Sequence, residues 1–297
     1  MVETHPEAHT QQPSALPYQL EDAFFISKTG NDEDGEDALY IGPHFVAVID
    51  GATSKTERRW GGKAGGSVAA CLLRDAFHQL PFDATARQAV DLLTAAIRNL
   101  YEQEEAVEAV QADPVQRAIA CFAAVSFWRK EVWLVGDCQC MLNHERILNE
   151  KGIDEITAHA RSLFLEMEIA QGKTIEELSE NDTGRAFILP LLKRQMLFQN
   201  NPATGQYWFP VIDGFAVPDE GIRILRLPDD IETIVLASDG YPYVKETLLE
   251  SEQALHEVLR DDPLLFRNYK ATKGMNKGQV SYDDRSYIKL RMGQKTA

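Results

Sequence analysis

Positive charge is scarce in this 297-residue chain: 30 lysines and arginines stand against 46 aspartates and glutamates, a net charge of −16. Such a surface repels nucleic-acid phosphates and anionic lipid headgroups, which excludes both as non-specific partners. No stretch approaches the roughly 18 consecutive apolar residues of a membrane-spanning helix. The first residues are polar and carry Pro6, Pro13 and Pro17 but neither the basic start nor the apolar core of a secretory leader, so residues 1–20 are expected to form a disordered arm and the chain to be cytoplasmic. Cysteine is sparse too. Cys71 and Cys121 sit inside apolar runs, and Cys138-x-Cys140 has no second pair, which argues against a disulfide framework or a zinc ribbon and for free thiols. Linkers rich in Gly, Ser or Pro, internal repeats and low-complexity tracts are missing, and this favours one interleaved domain over residues 21–293.

What is present is enough apolar residue, 44%, for a sizeable core. Ala23 to Lys28, Ala38 to Ile41 and Phe45 to Asp50 read as short strands separated by polar turns, and hairpins are expected among them. Helical spacing follows from Gly62 to Leu80 and from Asp83 to Val110. After Pro114, "AIACFAAVSFW", "EVWLVGD" and "CQCMLNH" predict strands that neighbour one another in antiparallel fashion. Residues 150–205 turn helical, with an interruption expected at Pro190, and suggest an inserted flap. "RILRL" and "TIVLASDG" restore strands, "YVKETLLESEQALHEVLR" predicts a helix, and "DDRSYIKLRM" a closing strand. This order predicts an α+β fold: a four-layer αββα sandwich, with two central, mainly antiparallel sheets flanked by helices.

Acids recur at the ends of these strands: Glu36 and Asp37, Asp50 before Gly51, Asp137 after Gly136, Asp239 before Gly240, and Asp283 with Asp284. One Asp-Gly is an ordinary turn. Several carboxylates gathered without a neighbouring base raise each other's pKa unless a cation sits among them. Oxygen donors without histidine or thiolate select magnesium or manganese, and Gly51 lets a backbone carbonyl approach an ion.

The ordered series "ED", "DG", "GD", "DG" and "DD" resembles the signatures of the metal-dependent serine/threonine protein phosphatases of type 2C, as a divergent, bacterial-type member, from about Phe24 to Leu290 without the flap. The resemblance implies that Asp50 bridges two manganese or magnesium ions, with Asp239 and Asp283 completing one site. The Gly51 carbonyl and waters held by Glu36 and Asp37 complete the other, and Asp137 serves a weaker third ion. It further implies hydrolysis of phosphoserine or phosphothreonine on proteins by direct attack of a metal-bridging hydroxide, with no covalent intermediate.

The chain departs from that pattern in places. Ala52 stands where a proton donor often follows the "DG", the arginine that precedes "ED" is missing, and Tyr243 replaces a further acid after "ASDG". Lys28, Lys55, Arg58 and Arg59 are the nearby candidates to hold a phosphate, and Asp213-Gly214 is expected to be a turn. Ala52 also removes the second acid of a haloacid-dehalogenase nucleophile motif, while His44, His78, His144, His159 and His256 lie apart from the acids, against an iron or zinc binuclear site. Two alternatives stay open: an inactive phosphatase-like binding or sensing module, and a small-molecule phosphoesterase with "WFP" and the flap as a lid. The sequence leaves the substrate and the oligomeric state open.

Overall fold

The run Phe45 to Ile49 is apolar at every position because the strand it forms is covered on both faces. Phe45, Ala47 and Ile49 pack among helices, whereas Val46 and Val48 point the other way, into a second sheet. The structure, a computed structural model, describes residues 16–149 and 151–293. Its elements in chain order are β1 (Tyr18–Ile26), β2 (Asp37–Ile41), β3 (Phe45–Gly51), α1 (Gly65–Phe77), α2 (Ala86–Gln103), α3 (Val107–Ala112), β4 (Ala120–Ser126), β5 (Glu131–Val135), β6 (Gln139–Leu142) and β7 (Glu145–Ile147). There follow α4 (Gly152–Ala170), α5 (Ile175–Glu180), α6 (Thr183–Arg194), β8 (Arg223–Arg226), β9 (Thr233–Ala237), α7 (Leu248–Asp261) and β10 (Arg285–Met292).

Two five-stranded sheets result, ordered β1-β10-β9-β6-β7 and β2-β3-β4-β5-β8, and every pairing is antiparallel. Ala69, Leu73, Val90, Leu93 and Ile97 of α1 and α2 cover the outer face of the second sheet, and Leu255 and Leu259 of α7 cover the first. Between the sheets lie Val46, Val48, Leu134, Ile234, Leu236, Ile288 and Leu290. The fold is therefore the expected α+β sandwich, helices outside and two antiparallel sheets inside.

Some local expectations change. β1 starts at Tyr18, inside the segment expected to be an arm, and pairs with β10 (Phe24 opposite Tyr287) rather than forming a hairpin with β2. The rest of that arm, residues 1–15, falls outside the described residues. β4 and β5 are neighbours as expected, but β6 leaves for the other sheet, where it pairs with β9. The long helix over Asp83 to Val110 ends at Gln103, where Glu105 takes a positive φ of 50°, and resumes as the short α3. Pro190 does not interrupt its helix but lies within α6. Both Pro190 and Ala186, whose carbonyl loses its partner, are exposed. Among the described residues the four cysteines are free, and no helix is long and apolar enough to cross a membrane.

Asp213 is more than a turn residue. It is fully buried, pairs with Arg117 at 2.8 Å, accepts from Asn200 at 3.1 Å and from the Phe215 N–H at 3.0 Å, and accepts a further hydrogen bond from Gln199. Burial raises its pKa, against the opposing pull of Arg117. The segment it ties down carries Gln199, Phe209 and Val211 to the wall of the cavity described below. Removing one partner of a buried pair strands the other charge. Asp213→Ala is thus expected to lose about 3–5 kcal/mol of stability, read from urea unfolding, and a loss below about 1 kcal/mol would show that the cluster is not structural.

Candidate metal centre

Strand parity decides where the acids go. Asp50 shares a face with Val46 and Val48, so β3 delivers its carboxylate to the seam between the sheets, where the strand runs out. Leu134 of β5 also faces the seam, and the turn after that strand, through Gly136 at φ 84°, presents Asp137. A Cβ at Gly136 would collide with Cys121, so a larger residue there would push the strand end away. Asp239 follows β9, its carbonyl accepting from the Tyr282 hydroxyl at 2.9 Å, and its N–H meets Asp50 Oδ2 at 3.4 Å. Gln139 Nε2 fixes that same turn by donating to the carbonyls of Ser238 at 3.1 Å and Tyr241 at 2.8 Å.

Three strand ends thus bring one carboxylate oxygen each from Asp50, Asp137 and Asp239 to within 4.8 Å of one another. They line a cavity of about 110 Å³ together with Gly51, Asp283, Lys55, Lys151, Arg185 and Lys273. That volume is well below the roughly 300–1,000 Å³ of pockets that enclose drug-sized ligands. A larger cavity of about 390 Å³ shares the wall formed by Asp137, Asp239 and Asp283 and extends to Arg146, Tyr241 and Tyr269.

The remaining predicted acids are placed differently. Asp283 lines the cavity and is ion-paired to Lys273, whereas the close trio contains Asp137. Glu36 is not part of the cavity lining; it lies 2.9 Å from Lys28 Nζ and accepts from the Thr53 hydroxyl at 2.6 Å. Asp37, opposite Asp50 in the β2–β3 register, accepts from Ser286 Oγ at 2.8 Å. Asp284 is a brace: its oxygens accept from the backbone N–H groups of Lys28 at 2.8 Å and Glu36 at 2.6 Å. Gly51 is forced by crowding, since a Cβ there would strike the carbonyl oxygens of Glu36 and Gly66. Residues that sequence reasoning missed are Lys151, Arg185 and Lys273, which come from the flap and from a loop near the C-terminus. No local signal distinguishes them from surface charge.

Electrostatics separates the trio. Burial first, then Asp37, Asp137 and Asp283, push the Asp50 carboxyl well above its ordinary value, and burial with Asp50 and Asp137 does the same to Asp239. Asp137 goes the other way: burial is outweighed by Lys151, whose Nζ lies 2.6 Å away. Among the described residues no lysine or arginine comes within ion-pair distance of Asp50 or Asp239, so the charge of those two carboxylates has no cation of its own. Burial also pushes the thiols of Cys121 and Cys138 well up, which keeps them protonated and poor ligands. A hard, all-oxygen donor set with uncompensated negative charge fits magnesium or manganese.

The sign of the pH dependence follows. Because the folded state holds protons on Asp50 and Asp239 more tightly than the unfolded chain, the metal-free protein loses stability as pH rises from about 4 through these raised values. In chelator, Asp239→Asn should therefore melt above the wild type at about pH 7, with the gap closing towards about pH 4. Manganese should raise the wild-type melting temperature and leave that of the variant nearly unchanged. A wild type that melts as high as the variant at neutral pH in chelator would overturn this account.

No family model matches the chain, and neither does any curated protein. Solved structures similar to it include the Mycobacterium tuberculosis serine/threonine phosphatase PstP/Ppp, at 18% identity and a TM-score of 0.48 over 93% of this chain and 99% of that one. Another is the Staphylococcus aureus serine/threonine phosphatase Stp1, at 18% identity and a TM-score of 0.44 over 96% and 99%. A third is the catalytic domain of PstP in complex with two manganese ions, at 18% identity and a TM-score of 0.43 over 93% and 98%. The names these structures carry are those of serine/threonine phosphatases.

Proposed function

We propose that this chain is a divergent metal-dependent phosphatase of type 2C that hydrolyses phosphate monoesters, with phosphoserine or phosphothreonine on a protein as its substrate. The observation that carries the reading is the convergence of Asp50, Asp137 and Asp239 from three separate strand ends. Asp50 and Asp239 would hold the ions, with Asp283, Asp137 and the Gly51 carbonyl beside them. Manganese or magnesium bound there supplies charge neutralisation for the phosphoryl group and lowers the pKa of the attacking water. The chain's own part is to fix those carboxylates and to shape the cavity. Leu192, Met196, Phe209 and Val211 add apolar surface to the cavity lining, and its cationic side chains offset the acids.

One observation favours a second reading, a binding or sensing module without turnover. Lys151 on Asp137 and Lys273 on Asp283 place ammonium groups against two of the acids that the family resemblance assigns to ions. An assay separates the two. With added manganese, the wild type should hydrolyse an aryl phosphate and phosphopeptides, and Asp50→Ala should lower the rate at least about 100-fold. Manganese uptake without turnover would favour the module, faster turnover of small phosphoesters than of phosphopeptides would move the substrate class, and the absence of both uptake and turnover would sink the assignment.

A further inference from the structure

We propose that Lys55 and Arg185 form the clamp that holds the substrate's phosphate, so that the helical flap contributes directly to phosphate recognition; the inference rests on the phosphatase reading above. Four cations line the small cavity, and they divide into two pairs. Lys151 and Lys273 are committed, each to a carboxylate. Lys55 and Arg185, by contrast, lie within ion-pair distance of no carboxylate among the described residues. The Lys55 ammonium has only a long contact, 3.5 Å, with the Thr53 carbonyl. Arg185 donates through Nη1 to the Thr272 carbonyl at 2.9 Å, which uses one of the five N–H groups of a guanidinium.

The two side chains come from separate segments of the chain. Lys55 sits in the loop that leaves β3, four residues after Gly51, and Arg185 in the first turn of α6. The backbone N–H of Arg185 donates to Asp182 at 2.7 Å, and Asp182 is gripped in turn by the fully buried Arg161 at 2.7 Å. Arg161 also donates to the carbonyls of Leu265 at 3.2 Å and Ala271 at 3.0 Å. It thereby locks α4, α6 and the segment that carries Lys273 into one unit, and this is a positioning role. Two other bases near Asp50 in sequence are engaged elsewhere: Lys28 by Glu36, and Arg58, which donates to Gln116 at 2.9 Å and stacks on Trp60.

Burial, then the neighbouring Arg185 and Lys151, push the Lys55 ammonium down to about 8 against the pull of Asp154, and burial lowers Arg185 although Asp182, Asp283 and Asp154 act the other way. A bound phosphate dianion relieves both effects and suits the planar, multi-donor guanidinium.

The test is titration of the manganese-loaded protein with inorganic phosphate by calorimetry, beside titration of the metal-free protein with manganese. Arg185→Met and Lys55→Met should each weaken phosphate about tenfold or more, the loss of a charge-assisted hydrogen bond, with manganese affinity within about twofold of wild type. Arg185→Lys, which keeps the charge but not the fork, should fall between. Because the variants lie on different elements, a folding defect in one, seen as a lost thermal transition, leaves the other to decide. Phosphate affinity within about twofold of wild type in the folded variants, or no phosphate binding by the wild type at millimolar concentration, would overturn the clamp. Normal phosphate binding in variants of a protein that does hydrolyse phosphopeptides defeats the clamp alone. Phosphate binding that depends on both residues in a protein without turnover defeats the hydrolytic reading alone.

Discussion

Repulsion among carboxylates gathered at one end of a two-sheet seam is the constraint around which this molecule is arranged. Asp50, Asp137 and Asp239 stand within one ion's reach of each other, and in a partly buried site that proximity is costly unless positive charge is brought in. The surrounding structure supplies part of it. Lys151 and Lys273 take the outer acids, while Lys28 behind the sheet neutralises Glu36 and lies 3.6 Å from Asp284. What stays uncompensated is the pair Asp50 and Asp239 at the centre, which is where a divalent ion has most to gain.

The sandwich makes this cluster rigid. Each acid sits at, or just past, the end of a strand whose neighbouring residues are fully buried between the sheets or beneath the helices, so none can relax away from the others without unpacking the core. Backbone braces reinforce the arrangement: Asp284 ties the Lys28 and Glu36 amides, and Gln139 ties the turn around Asp239. The helical segment from α4 to α6 plays the complementary part: Arg161 ties it to Leu265 and Ala271, and Arg185, with Lys151 just before α4, adds positive charge to the acidic cavity lining.

Much of the architecture was legible. Antiparallel strands covered on both faces leave apolar runs, amphipathic helices leave a 3.6-residue period, and both patterns stood out in β3 and in α1 and α2. Pairing partners were less so: β1 joins β10 from the far end of the chain, and β6 crosses to the other sheet, because pairing is settled by which faces must be buried together rather than by which strands are adjacent in sequence. Pro190 shows the same limit locally, since a proline on the exposed side of a helix is tolerated where one facing the core is not.

The sequence by itself determined which residues carry the negative charge and that they recur at strand boundaries, since each lies beside an apolar, strand-forming run. Only the tertiary structure decided which of them share a site. Asp137 moved into the close trio, Asp283 was claimed by Lys273, and Glu36 and Asp37 turned to other partners. It also decided which cations face them, since Lys151, Arg185 and Lys273 come from distant segments. The reason is that a carboxylate's role depends on what lies within about 4 Å of it, and for residues far apart in the chain that distance is fixed by packing alone.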